Sequence, residues 1–393
     1  MPSFKILVLP GDHIGAEVIR EAVKVLRTVE SHPSVAKQNI KFDLDFDLLG
    51  GQSIDVHGIP LTPQVIEKAK NSVAVLFGAV GGPKWGMTGA LRPETSVLDL
   101  RRALNCWANI RPCKIPSPGA AKCSPLKETV VQGTDFIILR ENLGGVYFGE
   151  KKEEPNYAHD VWGYNRWEIE RISRMAAYLA RKHGGTKGPS KITSVDKANV
   201  LAVCRLWREA VTTVHDREFA DIPLNHQLSD SLALIMVKNP RSLNGIVLCD
   251  NIFGDLFSDE AAAVSGSLGF SPSACLSGIP GEPLATGMYE PSHGSAPDLP
   301  PNCANPIATI QSAAMMLRYS CDLDWLADAV DQAVSIALDD RAAGGLEVRT
   351  GDIGGTATTA EMGDAVVTAL LQILGKAEPE SASQASATES ARL

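Results

Sequence analysis

Short apolar runs alternate with segments of helical periodicity along most of the chain, and this alternation restricts the fold more than any other feature. Residues 4–9 form an apolar run that ends in Pro10-Gly11-Asp12, and residues 14–29 then place apolar side chains at helical spacing. Further apolar runs are residues 73–77, 136–139, 191–195, 232–237 and 245–249, and further helical stretches are residues 168–183, 304–319 and 325–337. This pattern is typical of an α/β fold with a largely parallel or mixed sheet.

The size and charge of the chain favour a large enzyme from a reducing compartment. With 393 residues, of which 44% are hydrophobic and 21% charged, the chain can bury a large core and is expected to form two lobes. A net charge of −9 argues against a nucleic-acid partner. No apolar run reaches the ~18 residues of a membrane span, and residues 1–9 lack the apolar stretch of a signal peptide. The eight cysteines are scattered, which indicates neither a zinc site nor a disulfide framework.

Two aspartates four residues apart, Asp255 and Asp259, are candidate metal ligands. If the segment is helical from Gly254 onward, the carboxylates share one face at ~5–6 Å and repel each other unless a cation lies between them. A hard divalent ion such as Mg²⁺ or Mn²⁺ suits such oxygen ligands. A solvated acidic helix start is the alternative. Apolar flanking residues, including Phe253 and Leu256, favour the metal because they predict a largely buried surface around the carboxylates.

Two glycine-containing loops could approach a nucleotide. Residues 10–15 read Pro-Gly-Asp-His-Ile-Gly, which is not the G-x-G-x-x-G fingerprint of a Rossmann fold, so an ordinary Rossmann fold is rejected. Residues 290–298 are rich in small residues that permit close backbone approach, and they end in Asp298, which could accept a hydrogen bond from a ribose hydroxyl. Such a composition is also that of an ordinary turn.

Several basic residues occupy positions that suit an anionic substrate. Arg101 and Arg111 flank an apolar segment, and Arg140 ends an apolar run, where a guanidinium is unusual without a carboxylate partner. Lys197 follows the predicted strand at 191–195, where it could act as a base, although a surface lysine is the commoner case. Tyr147 lies in a glycine-rich loop, where a packing tyrosine is the commoner case.

These segments together resemble the isocitrate/isopropylmalate dehydrogenase family of β-decarboxylating 3-hydroxyacid dehydrogenases, most closely its fungal isopropylmalate members. The resemblance covers residues 4–375. The matching stretches are residues 7–15, 76–85, 91–112, 139–149, 195–201, 230–240, 250–268, 289–298, 304–319 and 349–364.

The resemblance implies a two-lobed isopropylmalate dehydrogenase-like α/β fold with a mixed sheet. One lobe, residues 1–106 and 266–376, would bind the cofactor. The other, residues 107–265, would bind substrate and form a homodimer, with the active site in the cleft between the lobes. The implied metal ligands for Mg²⁺ or Mn²⁺ are Asp255 and Asp259, joined by Asp230 from the neighbouring subunit.

Roles for the other candidates also follow from the resemblance. The implied catalytic residues are Tyr147, Lys197 and Asp230, and the arginines that hold the substrate carboxylates are Arg101, Arg111 and Arg140. The implied NAD-binding residues are Ile14, Glu290, His293, Gly294, Ser295, Ala296, Pro297, Asp298 and Asn305. NAD is expected rather than NADP because Asp298 would repel a 2′-phosphate.

The implied reaction is the oxidative decarboxylation of a 3-substituted malate. Lys197 with Asp230 takes the hydroxyl proton as hydride leaves C2 for NAD⁺, the metal polarises the developing carbonyl, carbon dioxide is lost, and Tyr147 protonates the resulting carbon. A chain that keeps the fold as a non-catalytic binding protein is the alternative. Every catalytic position is filled, which favours the enzyme.

The substituent on the malate is expected to be apolar. Glu94 leads into the implied specificity stretch, where Val97 and Leu98 stand with Val200 of the partner subunit. The expected substrate is (2R,3S)-3-isopropylmalate, converted to 2-oxo-4-methylpentanoate in leucine biosynthesis. Relatives usually carry leucine at the position of Val97, and loss of a methylene costs ~1 kcal/mol of apolar contact. A paralogue for a bulkier 3-alkyl- or 3-benzylmalate in a specialised pathway is therefore the alternative.

The end of the sequence bears on location. Residues 377–393 are mostly Ser, Ala and Glu, which predicts a disordered tail. The relatives that the chain resembles are commonly cytoplasmic. The C-terminal Ala391-Arg392-Leu393 is a relaxed form of the peroxisomal Ser-Lys-Leu address, so a peroxisomal location is the alternative.

Overall fold

The computed structural model describes residues 3–86, 91–282 and 285–376. The predicted tail at residues 377–393, with its C-terminal tripeptide, lies outside the described residues. Among the described residues, no helix is both long enough and apolar enough to cross a membrane. All eight cysteines are free thiols, and most of them are buried.

Strands and helices alternate through the described residues. The strands are β1 (Ser3–Gly11), β2 (Lys41–Phe46), β3 (Ala74–Ala79), β4 (Ala108–Lys114), β5 (Asp135–Glu141), β6 (Lys151–Glu154), β7 (Tyr157–Asp160), β8 (Ile192–Asp196), β9 (Leu224–Leu228), β10 (Gly245–Cys249), β11 (Pro272–Leu276) and β12 (Gly287–Pro291). The helices are α1 (Ile14–Ser31), α2 (Pro33–Ala36), α3 (Gly51–His57), α4 (Pro63–Lys70), α5 (Thr95–Ala103), α6 (Glu128–Val131), α7 (Arg166–Gly184), α8 (Ala202–Glu218), α9 (Ser229–Lys238), α10 (Asn251–Ser265), α11 (Ile307–Tyr319), α12 (Asp324–Leu338) and α13 (Thr359–Lys376).

The predicted α/β fold with a mixed sheet is confirmed. The apolar run at residues 232–237 differs from the strands around it, because it lies inside helix α9. Apolar content alone does not distinguish a strand from a helix here, since a short apolar run fits a buried strand and a helix equally well.

The chain divides into two compact units, residues 1–94 with 289–393 and residues 95–288. The resemblance implies different bounds, with one lobe of residues 1–106 and 266–376 and the other of residues 107–265. The difference arises at α5 and at β11, which the structure places in the second unit. Strand β11 pairs antiparallel with β4 of that unit, and this pairing accounts for its placement there.

In the first unit the strand order is β2-β1-β3-β12, with β1 parallel to both β2 and β3. Residues Ile6, Leu7, Val8 and Leu9 of β1 are fully buried, and burial of each such side chain contributes about 1.5–3 kcal/mol. At the end of β1 the chain turns through Gly11, whose φ is +74°. A Cβ on Gly11 would lie 2.0 Å from the carbonyl oxygen of Ala79, so only glycine allows β1 and β3 to end this close together.

In the second unit the order is β11-β4-β5-β10-β8-β9. Strand β4 is antiparallel to β5 and β11, whereas β5, β10, β8 and β9 are mutually parallel neighbours. The carboxyl ends of these parallel strands therefore meet at one edge of the sheet, which is where ligands bind in open α/β sheets. Arg140, Asp196 and Leu228 stand at those ends, and helix α10 begins just after β10.

Candidate functional site

Arg140 is the buried centre of the candidate substrate site. It lies near the carboxyl end of β5 with only 5% of its surface exposed. Its Nε donates to Asn251 Oδ1 at 2.8 Å, and its Nη1 donates to Asp255 Oδ1. A Cβ on Gly254 would lie 2.6 Å from Arg140 Cβ, so the absence of a side chain at position 254 lets α10 rest against the arginine.

The structure brings three of the candidate arginines together. Burial lowers the pKa of Arg140, and the like charges of Arg111 and Arg101 lower it further, against the opposing effect of Asp255. Arg111 donates from Nη1 to Ser258 Oγ at 2.8 Å on the same helix α10. Arg140 and Arg111 each lie next to one carboxylate of α10, Asp255 and Asp259 respectively, and a bound dicarboxylate would add negative charge to this cluster of guanidinium groups.

Tyr147 lies on a single turn of 3₁₀ helix (Gly145–Tyr147) that follows β5. Its hydroxyl donates to Asp255 Oδ2 at 2.8 Å, and the Arg140 guanidinium lies 5.6 Å from the centre of its ring. Burial and the bond to Asp255 raise the pKa of Tyr147 to about 12. The phenol therefore stays protonated at neutral pH, as a proton donor requires.

The two candidate metal ligands lie on α10 and differ in environment. The helix begins at Asn251 rather than at Gly254. The side chain of Asp255 is 39% exposed and bonded to Arg140 and Tyr147, whereas that of Asp259 is 73% exposed, with Arg111 Nη1 3.6 Å from its Oδ1. The expectation of a buried surround is wrong at Leu256, which is 61% exposed.

These carboxylates fit a hard divalent cation only in part. Asp255 and Asp259 are one helical turn apart, so one cation can reach both, and carboxylate oxygens are what Mg²⁺ and Mn²⁺ prefer. Within the described part of one chain, no group of three or more His, Cys, Asp and Glu side chains is placed to hold a metal. A complete site thus needs a ligand from elsewhere.

Lys197 and Asp230 form a close pair on the same sheet edge. Lys197 follows β8, Asp230 lies in the first turn of α9, and Lys197 Nζ donates to Asp230 Oδ1 at 2.5 Å. The lysine holds the pKa of Asp230 below its usual value. The adjoining strand end is locked by Asp196, whose carboxylate receives both Nε and Nη2 of Arg208 at 2.8 and 2.9 Å.

The candidate specificity residues are partly or largely exposed. Val97, Leu98 and Arg101 share helix α5, and the four-residue spacing places Val97 on the face of Arg101. Leu98 is 47% exposed and Val200 is 63% exposed. Glu94 belongs to the first unit and its side chain lies close to Gly81. A Cβ on Gly81 would be 2.8 Å from Glu94 Oε1.

The candidate cofactor loop follows β12 in the first unit. Ser295 anchors it, since its Oγ donates to Gly81 O at 2.9 Å and its carbonyl accepts from the Ile14 amide at 3.3 Å. Gly294, Ala296, Pro297 and Asp298 are exposed, so the loop presents its backbone and one carboxylate to solvent.

Three further candidates stand close to this loop. Glu290 is buried in β12, and its carbonyl accepts from Ser312 Oγ at 2.8 Å. Burial lowers the pKa of His293, which favours the neutral ring. Ile14 is buried and packs with Val18 and Ala304 in a small core cluster, so its role beside the cofactor stays a prediction.

Asn305 is bonded to an acid that the sequence reasoning missed. Its Nδ2 donates to Asp352 Oδ2 at 3.0 Å, and its Oδ1 accepts from the Ile307 amide at 3.1 Å. Asp12 was missed as well. Its buried carboxylate accepts from the amides of Gly51, Gln52 and Gly81, each at 2.9 Å, and so organises the first loop. Asp12 and Asp352 both lie in stretches that match the family, and an acidic residue in such a stretch is the signal that could have identified them.

Asp250 caps α10 and carries a buried carboxyl group. Its Oδ1 accepts from the Phe253 amide at 2.9 Å, and burial raises its pKa to about 7. A folded-state pKa above the unfolded value means that stability is highest below about pH 4 and falls as the pH rises through about 7.

Asp250→Asn should therefore stabilise the fold at pH 8 and change it little at pH 4.5. Asparagine caps a helix as well as aspartate and cannot ionise, and each pKa unit corresponds to about 1.4 kcal/mol. The measurement is the midpoint of thermal unfolding of both proteins at the two pH values. Asp43→Asn, at an exposed position, is the control; an equal shift at both pH values would contradict this account of Asp250.

Comparison with known proteins gives a consistent result. The family model described as isocitrate/isopropylmalate dehydrogenase matches residues 5–366. A curated protein of Hapsidospora chrysogena named 3-isopropylmalate dehydrogenase is 51% identical over 377 residues, which cover 95% of this chain and 98% of that one. Its namesake from Cyberlindnera jadinii is also 51% identical, over 95% of this chain and 100% of its own.

Solved structures agree with the sequence relatives. A β-decarboxylating dehydrogenase from Thermococcus kodakarensis is 31% identical with a TM-score of 0.75, covering 96% of this chain and 98% of its own. Isocitrate dehydrogenase from Methylococcus capsulatus is 27% identical with a TM-score of 0.77, covering 94% and 99%. The shared architecture thus extends over nearly the whole chain.

Proposed function

The chain belongs to the isocitrate/isopropylmalate dehydrogenase family, and we propose that it oxidises and decarboxylates (2R,3S)-3-isopropylmalate to 2-oxo-4-methylpentanoate with NAD⁺, in leucine biosynthesis. It is an oxidoreductase of the decarboxylating type. The observation that carries the substrate class is the cluster of Arg101, Arg111 and Arg140 next to the bonded pair of Asp255 and Tyr147. Such a cluster suits a dicarboxylate whose reacting carbons lie beside a proton donor.

Each residue has a role in this reaction. The arginines bind the two carboxylates. Lys197, in its neutral amine form and hydrogen-bonded to Asp230, accepts the C2 hydroxyl proton as the hydride leaves C2 for NAD⁺. After carbon dioxide departs, Tyr147 Oη, which its raised pKa keeps protonated at neutral pH, gives its proton to the carbon that carried the lost carboxylate. Asp255 and Asp259 with Asp230 of the partner subunit would hold Mg²⁺ or Mn²⁺. When bound, that cation stabilises negative charge on the substrate oxygens.

Substrate choice within the family is assigned to the α5 face. Val97 and Leu98 are apolar and accessible there, which favours an alkyl substituent over a third carboxylate. The relatives named 3-isopropylmalate dehydrogenase, at 51% identity, support the isopropyl group. The second candidate is a bulkier 3-alkyl- or 3-benzylmalate, because Val97 is smaller than leucine and Leu98 is 47% exposed.

A substrate panel tests this assignment. Purified enzyme with NAD⁺ and Mn²⁺ should show its highest kcat/KM with 3-isopropylmalate among malates that carry methyl, isopropyl, isobutyl and benzyl groups at C3, and isocitrate should be a poor substrate. A maximum at the benzyl or isobutyl compound would favour the second candidate. Absence of turnover with every compound in the panel would contradict the proposed activity.

A homodimer is part of the proposal. Leu234 and Val237 on α9 and Leu256 on α10 are 64%, 49% and 61% exposed in the single chain. These two helices contact each other, so the apolar residues form one patch of the kind that protein interfaces cover. A second copy would bring its Lys197 and Asp230 to the site.

NAD⁺ should be preferred over NADP⁺, and Asp298→Lys should narrow the preference by at least about tenfold in kcat/KM, since each close charge pair in a solvated site is worth ~1 kcal/mol or more. The exposed carboxylate can accept a hydrogen bond from a 2′-hydroxyl and repels a 2′-phosphate. Kinetics with both cofactors measure the ratio. Asp43→Lys is a charge-matched control on β2, and an unchanged ratio in Asp298→Lys would show that another residue selects the cofactor.

A further inference from the structure

Two of the candidate substrate arginines are held by buried asparagines in the same way. Arg111 Nε donates to Asn109 Oδ1 at 2.9 Å, and Arg140 Nε donates to Asn251 Oδ1 at 2.8 Å. Both asparagines are almost completely buried, at 0% and 1% exposure. A buried side-chain amide is costly unless its hydrogen bonds are made, so these contacts are a specific feature of the site.

The orientation of each amide is determined by its partners. Asn251 Nδ2 donates to the Gly144 carbonyl at 2.8 Å, and Asn109 Nδ2 donates to Ser273 Oγ at 2.8 Å. An arginine Nε can only donate and a carbonyl can only accept. Rotating the side-chain amide of Asn251 would therefore break both of its hydrogen bonds. Rotating that of Asn109 would place its Nδ2 donor opposite the Nε donor of Arg111.

The consequence for the arginines is a fixed guanidinium plane. Each is held at Nε by an asparagine and at Nη1 by a group on α10, Ser258 Oγ for Arg111 and Asp255 for Arg140. Among the described residues, neither Nη2 has a hydrogen-bond partner. The asparagines thus occupy one edge of each fork and leave donors on the other edge for a carboxylate.

Asn251 also links Arg140 to the loop that carries Tyr147. The side-chain Nδ2 of Asn251 donates to the Gly144 carbonyl, and the backbone amide of Gly144 donates to Glu141 at 2.6 Å. The backbone amide of Asn251 donates to Tyr164 Oη at 2.9 Å. A Cβ on Gly144 would lie 2.5 Å from the Tyr164 ring, so this loop packs tightly against the same tyrosine. One buried amide therefore ties a substrate-binding arginine to the segment of the proton donor.

We propose that Asn109 and Asn251 are positioning residues that orient Arg111 and Arg140 for the substrate carboxylates. The inference rests on the proposed function, since it takes those arginines as carboxylate-binding groups. A misplacement of about 1 Å at such a group can cost about a hundredfold in rate. Asn109 acts through Arg111, whereas Asn251 acts through Arg140 and through Gly144 of the segment that carries Tyr147.

Substitution by alanine and by aspartate at each position tests the proposal. Alanine removes the acceptor for Nε, and aspartate keeps it. Asn109→Ala and Asn251→Ala should each raise the KM for 3-isopropylmalate by about tenfold or more, with the KM for NAD⁺ changed by less than about twofold. Asn109→Asp should recover part of the loss, because it keeps the acceptor for Arg111 Nε while its second oxygen faces the Ala274 carbonyl, which accepts from Asn109 Nδ2 at 3.3 Å. Either position suffices if the other variant is insoluble.

Asn244 is the matched control for a structural asparagine. Its amide bridges the Asp135 amide and the Gly133 carbonyl, each at 2.8 Å. Asn244→Ala should lower the unfolding midpoint and leave both KM values unchanged. Arg140→Gln separates the two proposals. If it leaves the substrate KM unchanged, the proposed function is wrong for Arg140. If it raises that KM while both alanine variants leave it unchanged, the positioning role is overturned.

Discussion

Asp259→Asn should reduce turnover by about a thousandfold, equivalent to about 4 kcal/mol, while leaving the fold and its unfolding midpoint unchanged. Asp259 is 73% exposed, and Arg111 at 3.6 Å is its one ion-pair partner among the described residues, so the fold does not depend on its charge. The substitution keeps the size of the side chain and removes the charge that attracts a divalent cation. Steady-state kinetics over a range of Mn²⁺ concentrations, with calorimetric titration of Mn²⁺, provide the measurement.

Asp255 is a poorer position for this test because its carboxylate also holds Arg140 and Tyr147. A loss in Asp255→Asn would combine three effects. The suitable control is Asp99→Asn, an exposed aspartate on α5 with a weak contact to Arg102 at 3.4 Å. Wild-type turnover of Asp259→Asn at limiting Mn²⁺ would remove Asp259 from the metal site.

Lys197→Met should lower kcat by about a hundredfold to ten-thousandfold, the usual range for loss of a general base. Mixing it with Asp259→Asn should restore activity. In the proposed homodimer, each site takes Asp259 from one subunit and Lys197 from the other. A heterodimer of the two variants then has one fully intact site, so random pairing should recover about a quarter of wild-type activity. Refolding or co-expression of the two chains, with separate tags to isolate the heterodimer, allows the measurement.

A second lysine provides the control. Lys70→Met removes another lysine from an exposed pair, with Glu67 at 3.4 Å on α4, and should leave kcat unchanged. Suppose that Lys197→Met is inactive alone and that the isolated heterodimer is equally inactive. Lys197 and Asp259 of one subunit then act in the same active site, and the shared-site arrangement is refuted.

Much of the fold could be predicted because strand and helix periodicity differ wherever a segment is long. Helix α1 begins at Ile14, as its apolar spacing indicates, and β1 contains the predicted run. Residues 232–237 show the limit, since an apolar run of about 4–8 residues fits either a strand or a helix. Leu256 shows another: apolar composition cannot distinguish a side chain covered by its own chain from one left on the surface.

The candidate site was predictable where a residue type is unusual in its place. A guanidinium at the end of an apolar strand and two carboxylates one turn apart both conflict with local composition, which draws attention to Arg140, Asp255 and Asp259. Asn109 and Asn251 raise no such conflict, because a single asparagine in the first turn of a helix or at the start of a strand does not stand out from the sequence around it. Their importance depends on a partner distant in sequence or on a bond made only in the folded chain.

Gly254 sets a limit on how this enzyme can be re-engineered. The missing methyl group at position 254 determines how near α10 comes to β5, and Asp255 and Asp259 move with that helix. A library aimed at new substrates could vary Val97 and Leu98 freely, since both are accessible on α5. Any side chain at position 254 would move the two proposed cation ligands away from Arg140. We therefore expect changes there to remove activity toward every substrate rather than to redirect it.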